Sequence, residues 1–232
     1  MEPIENYVLK PNTFLTGHEI WSIAEPPRCL YAHGKRSALT LLQYLPERGL
    51  AVVGTREPQE KTQAFLKSEI RKLSSSSLII LSGLARGIDA VAHEAALDAG
   101  LPTIAVIAAG LTLEYPKETF FLRKRILDDG GLIISEYPIG TPARRENFLQ
   151  RNRMIAGWAK ATWVVEAKQR SGSLNTARWA RENNRTCITV PCFPENPLLK
   201  GNQILLDRDH ALAYWGVHSL GAIWLDLAAA KK

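Results

Sequence analysis

The sequence predicts an α/β fold, a mostly parallel sheet with helices on both faces. Two observations carry this. The first is a series of short apolar runs, each closing on a turn signal: LAVVG (50–54), LIILSG (78–83), TIAVIAAG (103–110), LIISE (132–136), TWVVEA (162–167) and TCITVP (186–191). Continuous apolar runs of this length suit strands buried on both faces. The second is what lies between them, helical patterns over 60–73, 87–99, 117–129, 147–159 and 173–183. Buried strands alternating with helices imply parallel pairing. Right-handed crossovers then give an extended Rossmann-like, doubly wound sheet.

The first residues fall outside this rhythm. Residues 1–45 form a lead-in: EPPRCLYAHG is an edge strand or extended segment, and SALTLLQYL a short helix. Residues 46–232 form the Rossmann-like domain, ending in GVHSLGAIWLDLAAAKK, a helix with a basic tail. In an open sheet of this kind ligands bind beyond the carboxyl ends of the strands. That rule points to Thr55 and Arg56, to 82–86, to Ala109 and Gly110, to 137–141, to 168–173 and to Pro191 onward.

Formal net charge is +6. From 141 to 185 ten basic residues stand against three acidic ones, so this segment carries +7 and the rest of the chain −1. A concentrated positive balance favours a polyanion over solvated helix faces alone. The three cysteines, Cys29, Cys187 and Cys192, are an odd number with no secretory leader, which argues against a disulfide framework. No histidine pair accompanies Cys187 and Cys192, which argues against zinc. With no apolar span and no signal-like start, a soluble cytoplasmic protein is expected, without membrane contact.

Four stretches carry candidate chemistry. GTREP (54–58) sets Arg56 just past the first central strand, with Pro58 at the start of the next helix. SGLARGIDAVAH (82–93) offers amides at a helix N-terminus, an anion site. It lacks both the dinucleotide fingerprint and a Walker lysine. Its Arg86, Asp89 and His93 are spaced as one helical face. A capped helix start with His93 bonded to Asp89 or backbone is the better account than a catalytic set. TPARRENFLQRNRMIAGWA (141–159) interleaves arginines with Phe148. Phe148 either stacks on an unpaired base or belongs to the core. RSGSLNTARWA (170–180) places Gly172 and Ser173 before a helix, with Ser173 as its N-cap. LLKGNQILLD (198–207) adds a turn glycine beside Lys200 and Asn202.

GTREP, SGLARGIDAVAH, IAAGLTLEYP, SEYPIGTP, FLQRNRMIAG, VVEAKQRSGSLNTA and LKGNQILL occur in one order along the chain. In this the sequence resembles the DNA-processing protein A (DprA, or Smf) family over about 26–209. The resemblance implies a protein that binds single-stranded DNA, shields incoming strands and helps load a RecA-type recombinase in natural transformation. It also implies a homodimer, without catalysis or a cofactor. Carried over by motif, Arg56 and Arg145 hold phosphates and Phe148, before the triplet Arg151, Asn152 and Arg153, contacts a base. The candidate DNA and phosphate contacts are therefore Arg56, Ser82, Gly83, Arg86, Arg145, Phe148, Asn152, Arg153, Gly172 and Ser173, with no catalytic or metal residue. Departures are Gln59–Lys61 for the usual tyrosine–glycine pair, Cys192 for glycine, and KGN for GTN. The chain has no room for the helical and winged-helix domains of many members. The rival reading is a nucleotide or phosphoribosyl hydrolase on a related fold, but the PGGxGTxxE pattern of those enzymes is absent.

Overall fold

The computed structural model describes residues 2–113, 117–191, 196–221 and 223. The strands are β1 (Ile4–Leu9), β2 (Leu30–Lys35), β3 (Gly49–Val53), β4 (Ile79–Ser82), β5 (Thr103–Val106), β6 (Leu132–Ser135), β7 (Ala161–Val164), β8 (Thr186–Thr189) and β9 (Leu212–Ala213). They form one sheet in the order β1-β2-β6-β5-β4-β3-β7-β8-β9. The pairings of β2 with β1 and with β6 are antiparallel, and the others are parallel. The apolar runs of the sequence are β3 to β8, and β3 to β7 are buried along their whole length.

The helices are α1 (Leu41–Arg48), α2 (Glu60–Arg71), α3 (Ile88–Asp98), α4 (Phe120–Asp128), α5 (Arg145–Trp158), α6 (Gly172–Glu182) and α7 (Lys200–Arg208). Alternating residues of one strand feed opposite layers, as the two-residue period of a strand requires. On β3, Ala51 and Val53 join Met154 and Trp158 of α5, while Leu50 and Val52 join Leu66 and Ile70 of α2.

The strand expected in EPPRCLYAHG is β2, but it is not at the edge, because β1 pairs outside it. Its partner β1 has no apolar signature, being exposed at four of six positions. Between them the chain straps α5: Trp158 Nε1 donates to Ile20 O at 2.9 Å and Arg153 Nε to Glu25 O at 2.6 Å. Ile20, Ile23 and Leu30 sit in the same apolar cluster as Leu45 and Trp158. The KGN stretch, expected as a turn, starts α7. Gly201 is needed there because a Cβ would lie 2.6 Å from the carbonyl oxygens of Ala167 and Lys168. The buried Asn202 accepts from Ala167 N at 2.8 Å and donates to Val165 O at 3.0 Å, which latches α7 to the end of β7.

The chain runs outward from β3 to β6, then returns to lay β7 on the other side of β3. The topological switch point is therefore the gap between the carboxyl ends of β3 and β7. Among the described residues no helix is long and apolar enough to cross a membrane.

Candidate nucleic-acid interface

A cleft of about 740 Å³ opens at this switch point. One wall is the β3–α2 loop with Arg56. The second is α5, with Arg145, Phe148 and Asn152. The third is the β7–α6 loop, with Lys168, Arg170 and the start of α6. Arg56, Arg145, Lys168 and Arg170 are all exposed, and the one carboxylate lining the cleft among the described residues, Asp89, is buried.

Backbone packing sets the position of Arg56. Gly87 has φ +84°, and a Cβ there would lie 2.4 Å from Thr55 O. That close approach lets Ile88 N, in the first turn of α3, donate to Thr55 O at 3.1 Å. On the other side Thr55 N donates to Glu166 O at 2.7 Å. The buried carboxylate of Glu166 accepts from Thr62 Oγ1 at 2.6 Å and so fixes the start of α2. Thus pinned, the loop holds the Arg56 guanidinium 5.0 Å from the Phe148 ring centroid, a cation–π contact. Pro58 lies before the helix rather than in it, since Gln59 is the N-cap of α2.

Arg151 forms the floor. It is buried, and its Nη1 donates to Gly83 O at 2.8 Å and to Val106 O. A side chain at position 83 would strike this guanidinium, with its Cβ 2.4 Å from Nη1, so Gly83 makes room for Arg151. Burial lowers the Arg151 pKa to about 10. Burial likewise pushes the Asp89 carboxyl up, opposed by the charge of Arg151 and by bonds to the backbone at Ala85 and Gly83. Arg151 and Asp89 were not among the sequence candidates. The signal for Arg151 was its place three residues after Phe148, on the same helical face.

The remaining candidates divide. Asn152 bridges α5 to α6, with Nδ2 3.5 Å from Gly172 O and 3.4 Å from Asn175 Oδ1. Gly172 and Ser173 line the cleft, but the N-cap of α6 is Ser171, whose Oγ accepts from Ser173 N at 3.2 Å. Gly83 and Arg86 line a smaller adjoining cavity, and Arg86 pairs with Glu57 at 3.0 Å across an exposed rim. Ser82 is turned away, its buried hydroxyl donating to Val52 O at 2.6 Å to join β4 to β3. Arg153 corrects the sequence expectation most clearly. It is buried, forked onto both carboxylate oxygens of Glu136 at 2.6 and 2.5 Å, and lines neither cavity.

Arg86, Asp89 and His93 do not share a helical face, because α3 begins only at Ile88. His93 is buried, and its partner is neither Asp89 nor backbone. Thr103 Oγ1 donates to Ile80 O at 2.9 Å, so it accepts from His93 Nδ1–H at 2.7 Å. Burial lowers the His93 pKa to about 3, and the ring is neutral. Among the described residues no three His, Cys, Asp or Glu side chains are grouped to hold a metal. Burial pushes the Cys187 thiol up to about 12. Cys192 and the last three residues of IAAGLTLEYP lie outside the described residues.

Fold and site together define a Rossmann-like protein with a basic, aromatic-walled cleft at the switch point of its sheet. The chain belongs to the DNA recombination-mediator protein A family, whose model matches residues 16–221. It is 37% identical over 234 residues to protein Smf of Synechocystis, covering 95% of this chain and 57% of that one. It is 34% identical over 199 residues to the DNA processing protein DprA of Bacillus subtilis, covering 86% and 65%. The chain thus spans roughly half to two thirds of the curated relatives it matches.

Among solved structures it is similar to DprA of Streptococcus pneumoniae, with TM-score 0.82, 33% identity, and 93% of this chain and 73% of that one covered. DNA processing protein A of Helicobacter pylori, described for its single-stranded DNA binding mode, gives TM-score 0.81 at 25% identity, with 99% of each chain covered. A molybdenum cofactor carrier protein of Chlamydomonas reinhardtii shares the fold alone, at TM-score 0.51 and 17% identity.

Proposed function

We propose that the cleft holds single-stranded DNA. The observation that carries this is the Arg56–Phe148 stack set among Arg145, Lys168, Arg170 and the N-terminus of α6. Exposed cations and helix amides suit phosphates, and an aromatic face within reach of them suits a base. Only an unpaired strand can offer that face to Phe148, because the bases of a duplex are stacked on one another.

On this reading the protein shields incoming single strands during natural transformation and presents them to a RecA-type recombinase. It works in the cytoplasm as a homodimer and catalyses nothing. The similarity to DprA and Smf proteins supports that role. The non-catalytic reading draws support from His93, which is buried, neutral and hydrogen-bonded to Thr103, and from Asp89, the cleft carboxylate, which is buried and faces the charge of Arg151.

The test is a salt-titrated binding assay with oligo-dT and a duplex of the same length. Preference for oligo-dT with a steep salt dependence is expected. Equal affinity for both, or binding to neither at low salt, overturns the proposal.

A further inference from the structure

The basic groove does not stop at the cleft. A second cavity of about 220 Å³ adjoins it and shares Arg56, Ala85 and Phe148 with it. On its outer rim stands Glu118, in the 3₁₀ turn Lys117–Thr119. Thr119 Oγ1 donates to Leu84 O at 3.0 Å, which ties this turn to the β4–α3 loop beneath the cavity.

α4 follows at once. Its inner side, Leu122, Ile126 and Leu127, is fully used in packing against the sheet. Phe121 takes no part in that core. At 81% exposure it is the most exposed large apolar side chain among the described residues. Phe120 meets it edge-on, with ring centroids 5.8 Å apart, and limits its orientation. Lys117 stands four residues before Phe121 and Lys124 three after it, and both are exposed. Phe121 and Lys124 are one turn apart on α4 and so share a face, and Lys117 precedes them in the 3₁₀ turn that leads into the helix. The neighbouring arginines are occupied: Arg123 donates to Leu113 O at 3.0 Å, and Arg125 pairs with Asp98 at 2.7 Å.

We propose that Lys117, Phe121 and Lys124 form an outer stacking step for the strand that leaves the cleft past Glu118. The inference rests on the single-stranded DNA reading of the cleft. Phe121 offers its face to a base and the lysines neutralise the adjoining phosphates, the combination that holds single strands without sequence preference. Phe121 lies three residues beyond Glu118, about 5 Å of helical rise, so the strand reaches it directly on leaving the smaller cavity. The Glu118 carboxylate repels phosphate, so bases rather than backbone face that rim. The partner chosen is the same strand that fills the cleft, because the two surfaces are continuous and the flanking charge is positive.

The experiment measures the binding of the whole chain to oligo-dT of about 6 and about 20 nucleotides at low salt. Phe121→Ala is expected to weaken the longer strand about fivefold or more and leave the shorter one within about twofold. Lys117→Ala with Lys124→Ala should lower the salt slope for the longer strand by about 1.4. Phe121→Trp should keep the affinity and show fluorescence quenching by the longer strand only. Unchanged affinity of Phe121→Ala for the longer strand, with no quenching in Phe121→Trp, overturns the outer step and marks Phe121 as a contact for some other partner. An equal loss on both lengths also overturns it, because Phe121 would then serve the cleft itself. If the unmodified chain binds neither strand, the reading of the cleft fails first, which separates the two failures.

Discussion

The two halves of α5 carry the same kinds of residue in opposite surroundings. In the first half Arg145 is exposed on the cleft wall and Phe148 lies half-buried under Arg56. From the midpoint on, Arg151 and Arg153 are each 3% exposed and bonded to carbonyl oxygens or to Glu136. The difference lies in what surrounds each guanidinium. The first residues line the open cleft, whereas the rest of the helix packs under the lead-in strap and against β3 and β5. Arg153 spends four N–H groups on Glu25 O, Gln150 O and the two carboxylate oxygens of Glu136, which fixes it as part of the scaffold. Position along one helix therefore separates the groups that bind from the groups that hold the binding surface in place.

The sharpest way to break this comparison is at Arg153. Arg153→Ala strips the partner from Glu136, whose side chain is only 14% exposed, and removes the bond to Glu25 O. Removing one member of a buried pair costs about 3–5 kcal/mol. Urea unfolding should show a loss of this size. A loss below about 1 kcal/mol, the worth of an exposed pair, would place Arg153 with Arg145 after all.

A second prediction concerns the buried imidazole of α3, which the sequence set on one face with Arg86 and Asp89. The unfolded His93 titrates near 6.5 and the folded one near 3. Between those values the unfolded chain binds the extra proton, so stability is present above 6.5 and is lost as pH falls through that window. Compared with His93→Gln, the unmodified chain should lose about 2 kcal/mol more between pH 7 and pH 5. Equal losses would mean that His93 is solvated and its place beside Thr103 is wrong.

The central sheet was legible because each strand from β3 to β7 is buried on both faces, which leaves a continuous apolar run. β1 escaped notice because an edge strand needs no such run, and α7 because KGN reads as a turn unless the packing of Gly201 against Ala167 O is known. Arg56 and Gly172 followed from the rule that ligands gather beyond strand ends, Arg145 and Phe148 from the interleaving of arginines with an aromatic and from the family motif, and the cleft brings all four to one place. The floor did not follow. Arg151 forms it, while Ser82 and Arg153 are turned into the scaffold, and the motifs alone do not separate the three. A spacing of two residues on a helix, as between Arg151 and Arg153, points side chains to different sides. Sequence motifs record that such residues occur together, and tertiary packing decides which of them face the ligand.

The central claim is that the exposed half of α5 makes the contacts to DNA, and Arg145 tests it most directly. Its side chain is exposed on the cleft wall, so Arg145→Ala should change stability by less than about 0.5 kcal/mol. Loss of one phosphate contact should lower the slope of log affinity for oligo-dT against log salt by about 0.7. An unchanged slope in a fully folded variant would contradict the account and move the DNA away from α5.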